Sequence, residues 1–443
     1  MLSTRELEVK LLDYGPKMGK YSPDCIVSAS GLLTAKYEAL EKILSGADES
    51  FLTKFHREAT RRGHASLLTT PYLWFWIKGS RFVDFYLSSM PFGSFIIFSS
   101  RRIRITPKIA VIPEKIEKKG KVREVYAKAV KKMIEVYQEL LKMGFSVDEA
   151  RRALPLGFFS QGLYSFSLQT LLGVWWEAKK NDYLPRELKL LADKLIDIAE
   201  KKAPIMVRNA KEMEFETHYP QRHPFKAPER MEFTGSKILV KEIELKKPKN
   251  YGEWKELAEL AKTRLIAKLE IELSVSAWND IKRHRTAIQE VESIYSAAER
   301  KRFYIPPGIK RNERAREIYE EAVNVGFEAY ENLKEEIGNE AMYALPHALL
   351  LRTRLILNGY HFLDPFGLFG VRLCTTADPE LRSRLRNALR ELGDEELEKL
   401  VGPKCKLGFC PEKNFCAEIL KYNKRYTKAI HLSKYSRSPA TGS

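Results

Sequence analysis

The chain has 443 residues, and 76 lysines and arginines outweigh 58 aspartates and glutamates to give a formal charge of +18 at neutral pH. Its 44% hydrophobic and 30% charged composition excludes an intrinsically disordered or collagen-like chain, and at ~150 residues per domain the length allows about two or three domains. The cationic excess favours anionic partners such as nucleotides, nucleic acid or other phosphates, and five cysteines are too few for a disulfide scaffold.

The opening MLSTRELEVKLLDYG is charged where a secretory leader is apolar. The densest apolar run, Tyr72–Ile77, stops at Lys78, far short of the ~18 residues of a membrane span. Cytoplasmic residence without a membrane segment is therefore expected. Cys25, in the apolar context CIV, reads as core. Trp74, Trp76, Phe82, Phe85 and Tyr86 read as a buried strand and helix face rather than as a platform for stacked bases. Tyr126, Val130, Met133, Ile134, Tyr137, Leu140 and Leu141 recur at three-and-four spacing, which predicts an amphipathic helix. His218–Arg230, rich in proline and basic residues and without periodicity, reads as a linker, with His218 and His223 as linker residues rather than ligands. Leu269, Ile271, Leu273 and Val275 alternate with Glu and Ser, a half-buried strand leading into the polar, basic SAWNDIKRHR. Ile318, Ala322, Ala329, Tyr330 and Leu333 trace a second helix face. After Glu418 the chain carries cations and no acid, a flexible tail suited at most to non-specific nucleic-acid contact.

The order of these elements repeats. Arg123–Tyr126 (REVY) recurs 193 residues later as Arg316–Tyr319 (REIY), and at the same offset Pro113 meets Pro306, Tyr137 meets Tyr330 and Leu140 meets Leu333. Leu154-Pro155 meets Leu345-Pro346 at 191, so the second copy has lost two residues. A run of matches in one register predicts an α+β domain followed by a divergent copy of itself. The expected boundaries are 1–215 for the first copy, 216–236 for the linker, 237–420 for the second copy and 421–443 for the tail.

Arg283-His284-Arg285-Thr286 is the sharpest local signal. Alone it could be a solvated basic face. It is followed, however, by a seven-residue gap and then Ser293-Ile294-Tyr295-Ser296, and this spacing resembles the flavin-dependent thymidylate synthases, whose RHR precedes Ser-x-Arg-Tyr. Asn358, twelve residues after Pro346, and RLCTTADPELR (Arg372–Arg382) resemble later elements of that family. GPKCKLGFCPEKNFC (Gly402–Cys416) is similar to the cysteine-bearing tail of one of its branches. In the first copy Gly63-His64-Ala65-Ser66 resembles the family's flavin element, and Ala150-Arg151 with Leu154-Pro155 resembles its Ala-Arg-x-x-Leu-Pro. The resemblance spans about residues 25–180 and 265–416.

What the resemblance implies is specific. Each copy would be an antiparallel sheet flanked by helices. The activity would be reductive methylation of deoxyuridylate, with FAD as cofactor and NADPH and a reduced folate or pterin as co-substrates. His64, Ser66, Arg283, His284, Arg285, Thr286 and Asn358 would hold the cofactor. Ser100, Arg101, Arg102, Arg283, Arg151 and Arg372 would hold the substrate, and Arg151 and Arg372 would act in catalysis. The residue types suit this chemistry, since guanidinium forks and short hydroxyls hold a phosphate and cations stabilise the negative charge that develops on a pyrimidine whose C5 becomes nucleophilic. Family sites lie between subunits of a homotetramer. Here neither copy holds a full set: the position of RHR falls on Met90-Pro91-Phe92 in the first copy, and that of Arg151 on Met342 in the second. The losses are complementary, which predicts a composite site and a homodimer imitating the tetramer, with nucleic acid not expected as a partner.

Departures from the family pattern are Ile288, Glu290 and Tyr295, and aspartates at 280 and 378 where the family has glutamine. They leave open a divergent or inactive paralogue that binds another uridine-type nucleotide, and a basic nucleic-acid-binding protein without catalysis. Cys374, Cys405, Cys410 and Cys416 could hold zinc or an iron–sulfur cluster, or be buried or disulfide-paired thiols.

Overall fold

In the computed structural model the described residues are 1–90, 92–213, 223–406, 410, 412 and 416–422. Apolar and β-branched runs form two four-stranded sheets. The first holds β1 (Glu8–Gly15), β2 (Tyr72–Ser80), β3 (Gly93–Ile97) and β4 (Phe159–Ser167) in the order β1-β2-β4-β3. The second holds β5 (Lys237–Lys241), β6 (Leu265–Ser274), β7 (Ile288–Val291) and β8 (Leu350–Asn358) in the order β5-β6-β8-β7. Every pairing in both sheets is antiparallel, and the first pair of each slips register once, between Leu11 and Asp13 and between Ile238 and Val240. The two halves share one architecture.

Period two decides which side chains go inward. Leu73, Phe75 and Ile77 of β2 are buried, whereas Trp74 between them is 38% exposed. The tryptophan ladder is therefore not wholly core, although Phe82, Phe85 and Tyr86 are. Cys25 is half-buried beside a small satellite cluster of Ile26, Ala29, Ile43 and Leu44 rather than in the main core.

Helices follow each long strand in the same way. Ser80 ends β2 and caps α1 (Arg81–Leu87), its hydroxyl accepting from Phe82 N, and Ser274 ends β6 and caps α5 (Val275–Ile281) below. The first half continues with α2 (Gly120–Lys142), α3 (Leu168–Lys180) and α4 (Arg186–Glu200). The second half, after α5, has α6 (Glu313–Ile337), α7 (Gly359–Leu363) and α8 (Pro379–Glu391). Ser167 caps α3 and Asn358 caps α7 at the same point of the repeat. The two periodic helices, α2 and α6, lie against each other, with Lys132 Nζ 2.9 Å from Glu321.

The duplicated Leu-Pro sits where the halves meet. Pro155 and Pro346 bridge antiparallel to each other. Leu156 N donates to Leu345 O (2.8 Å), and its mirror is His347 N to Leu154 O (2.9 Å). Gly157 N donates to Tyr343 O, mirrored by Ala348 N to Arg152 O, both at 2.9 Å. Reciprocal exchange of this kind defines an approximate two-fold axis within one chain. One hydrophobic core runs through both halves. No helix among the described residues is long and apolar enough to cross a membrane. Of the expected linker, residues 216–222, His218 among them, lie outside the described residues, as does the tail from 423.

Candidate active site

The Arg283–Thr286 turn follows from its strand. Glu380 accepts from Ser274 N (2.7 Å) and Ser274 Oγ (2.6 Å), fixing the start of α5. The helix ends at Ile281, and His284 N and Ala287 N close two tight turns onto Ile281 O and His284 O before β7 begins. Lys282, at the entry, is fully buried and donates across the axis to Phe85 O at 2.8 Å. Burial, with the nearby Arg283 and Arg81, pushes its pKa well down. Arg283 and Arg285 both lie over the ring of Phe95, at 5.9 and 5.4 Å from its centroid. Phe95 belongs to β3 of the first half. The turn of one half thus rests on the sheet edge of the other.

Arg372, at the end of the short helix Leu368–Arg372, points into the same place. Its Nε donates to His284 Nε2 (2.9 Å) and its Nη2 to Asp280 O (2.6 Å). Burial, and then the Arg372 charge, hold the pKa of His284 down to about 3, so the imidazole is a neutral acceptor. Thr286 Oγ1 is 3.1 Å from His361 Nε2, whose Nδ1 is 2.8 Å from Asn358 Oδ1. His361 links two expected cofactor residues and was not expected itself; its only signal in the sequence is its position three residues after Asn358. Burial lowers its pKa to about 4.

The first half contributes arginines from two segments. Arg101 donates to Asp148 Oδ2 (2.6 Å) and, across the seam, to Thr376 O (3.2 Å). Arg151 Nη2 and Arg152 Nη2 each lie 2.7 Å from one oxygen of Asp378, and Arg152 Nε donates to Glu380 at 2.9 Å. Asp378 is fully buried and also caps α8. Although burial opposes its ionisation, the two guanidiniums hold its carboxyl far below the usual carboxylate range. Arg101, Arg151, Arg283, His284 and Arg372, drawn from both halves, therefore converge at one seam.

His64, Ser66, Ser100 and Arg102 are not among the described residues that pair across it. His64 precedes the short helix Ala65–Thr69 and is exposed, as is Ser66. Ser100 is buried and Arg102 exposed. Among the described residues, no hydrogen bond or ion pair of His64, Ser66, Ser100 or Arg102 reaches the second half. Glu290 is paired with Arg354 at 2.8 Å, and Ile288 is 60% exposed.

Among the described residues, several polar atoms of the turn and the elements flanking it are buried without a partner: Arg283 Nε, Asn279 Oδ1, Asp280 Oδ2 and Gln289 Oε1. One orphan donor and three orphan acceptors within residues 279–289 suit a ligand that offers both, such as a flavin or pyrimidine ring with its carbonyls and N–H.

Cys374, Cys405, Cys410 and Cys416 all line one small cavity and are all free thiols. Thr375 and Thr376 hydroxyls donate to Cys416 and Cys374 sulfurs at 3.2 and 3.3 Å. Burial first, then the neighbouring thiols, push Cys405 up to about 12, so it carries its proton. Among the described residues, no group of three or more His, Cys, Asp or Glu is arranged to hold a metal, and the zinc or iron–sulfur expectation is without support here.

Two antiparallel-sheet halves about an internal two-fold, with a basic seam between them, define an α+β protein built from a doubled domain. The chain belongs to the thymidylate synthase complementing protein family, whose model matches residues 17–205 and 264–395. It is 32% identical over 120 residues to a flavin-dependent thymidylate synthase of Pyrococcus abyssi (strain GE5 / Orsay), a match covering 25% of this chain and 48% of the relative. It is 31% identical over 114 residues to one of Thermococcus onnurineus (strain NA1), covering 25% and 46%. These matches span about half the length of the curated relatives. Among solved structures, a UMP/dUMP methylase PolB from Streptomyces cacaoi bound with 5-Br dUMP aligns with 48% of this chain and 97% of its own, at 19% identity and a TM-score of 0.40.

Proposed function

We propose that the seam is a nucleotide site at which deoxyuridylate undergoes FAD-dependent reductive methylation. The observation that carries this reading is the convergence of Arg101 and Arg151 from the first half with Arg283, His284 and Arg372 from the second. Arg372, held by Asp280 O and by a neutral His284, is a positioned cation for the pyrimidine carbonyl where negative charge develops. Arg283 Nε supplies a donor that has no partner among the described residues. Arg101 and Ser100 bind the phosphate, Arg101 by exchanging Asp148 for the ligand, and Arg102 extends the cationic approach.

FAD, when bound, supplies the redox chemistry, and NADPH and a reduced folate or pterin are the co-substrates. The Arg283–Thr286 turn and Asn358, joined through His361, would hold it. His64 and Ser66, exposed on the outside of the first half, are the residues that a second chain in a homodimer would meet.

A second reading has its own support. Asp148 and Asp378 neutralise Arg101, Arg151 and Arg152, which weakens a phosphate site and suits a paralogue that binds a uridine-type nucleotide without turnover. Purified protein should absorb at about 450 nm through bound flavin and convert deoxyuridylate to thymidylate with a reduced folate and NADPH. Flavin and nucleotide binding without product favours the second reading. Absence of both contradicts each.

A further inference from the structure

An internal two-fold axis makes two seams, and the scaffold of the first recurs at the second. Arg152–Glu380–Ser274 has its mirror in Tyr343–Glu187–Ser80: Tyr343 Oη donates to Glu187 at 2.5 Å, and Glu187 accepts from Ser80 N at 2.8 Å. The crossing contact of Arg101 to Thr376 O has its mirror in Tyr295 Oη to Tyr183 O, at 2.6 Å. The chemistry does not recur. Met342 stands for Arg151, Pro185 (two residues before Glu187, as Asp378 is before Glu380) for Asp378, and Met90 and Phe92 stand at the position of the basic turn.

The second seam is filled by the chain itself. His223 and Phe225, from the segment between the halves, are fully buried. Phe225 packs 5.3 Å from the ring of Phe82, and His223 lies 5.1 Å from that of Tyr86 with its Nε2 2.5 Å from Glu177. Three consecutive carbonyls of this segment are taken. Pro224 O accepts from Ile294 N, Phe225 O from Asn181 Nδ2, and Lys226 O from Ser293 Oγ, each at 2.8 Å. Ile97 pairs with Gly162 as Val291 pairs with Thr353, a register in which Ser293 and Ile294 are the counterparts of Ser99 and Ser100, and Tyr295 of Arg101. Asn181 is the counterpart of Arg372 at the 191-residue offset that relates Ser167 to Asn358. The groups that at the first seam belong to phosphate and base recognition are thus saturated at the second by peptide oxygens, which are acceptors without charge.

We propose that residues 223–226 occupy the second nucleotide position permanently, so that each chain binds one nucleotide, at the Arg283–Arg372 seam. The stoichiometry rests on the reading of that seam as a nucleotide site; the occupancy of the second seam does not. The test pairs two measurements on the full chain, calorimetric titration with deoxyuridylate as the probe and amide hydrogen exchange at Ile294. The expected result is one deoxyuridylate per chain, bound at least ~10-fold more weakly in Arg372→Ala, with Ile294 strongly protected whether or not nucleotide is present. In His223→Ala/Phe225→Ala, exchange at Ile294 should accelerate towards the rate of an open amide. Two nucleotides per chain, or rapid exchange at Ile294 in the unmodified chain, overturns the proposal. No nucleotide binding together with a protected Ile294 upholds the filled seam and instead contradicts the reading of the first.

Discussion

Asp378 ties the two halves together. One buried carboxylate meets Arg151 and Arg152 of the first half and caps a helix of the second. Removing one member of such a network strands the others as unpaired buried charges, so Asp378→Ala should cost about 3–5 kcal/mol of stability. Denaturant unfolding checks this, and a loss below ~1 kcal/mol would place the pair among ordinary surface contacts. His284 and His361 give a second prediction. Their folded pKa values, about 3 and about 4, lie below the ~6.5 of an unfolded histidine. The unfolded chain therefore binds protons more readily as the pH falls below ~6.5, and stability declines down to the folded values. Each imidazole contributes up to ~1.4 kcal/mol per pH unit in that window. His284→Gln should flatten the dependence of stability on pH between about 4 and 6, and an unchanged slope would show that His284 is already charged in the folded protein. The aspartate at 378 is visible in the sequence as a departure. Its partners 226 and 227 residues away are not, because nothing local records which charges meet across an axis.

At the scale of elements, periodicity carried most of the information. The alternation at Leu269–Leu273 became β6, although the strand is buried on both faces and Val275 already belongs to α5; the three-and-four pattern from Tyr126 to Leu141 became α2, and the repeated Leu-Pro became the axis itself. What periodicity cannot report is a tertiary partner. Trp74, expected in the core for its apolar ring, falls on the outward phase between Leu73 and Phe75, and His223, in a stretch that reads as linker, is fully buried because the second seam offers it Glu177 and Tyr86. His284 and Arg372 were legible as motif members, but their direct hydrogen bond was not. The packing of α6 makes a third prediction. A Cβ at Gly326 would come within 2.9 Å of Ala344 O and of Met133 Cε in α2. Gly326→Val should destabilise the chain by about 1–3 kcal/mol through overpacking at the helix pair. Lys132→Ala, which removes only a surface ion pair on the same helices, should cost less than ~1 kcal/mol. Equal effects of the two would mean that the helices do not meet as described.

On the scale of the whole molecule, two similar halves exchange reciprocal contacts inside one chain. The first seam keeps the arginines and the second is closed by the chain's own residues 223–226. Neither half carries the seam's arginines alone: Arg101 and Arg151 belong to one, Arg283 and Arg372 to the other. The most direct measurement of this claim is the dissociation constant of deoxyuridylate for the unmodified chain, Arg101→Ala and Arg372→Ala. The account predicts that each substitution, one from each half, weakens binding at least ~10-fold, equivalent to ~1.4 kcal/mol. If one of them leaves the affinity unchanged, the site belongs to a single half and the composite seam is contradicted.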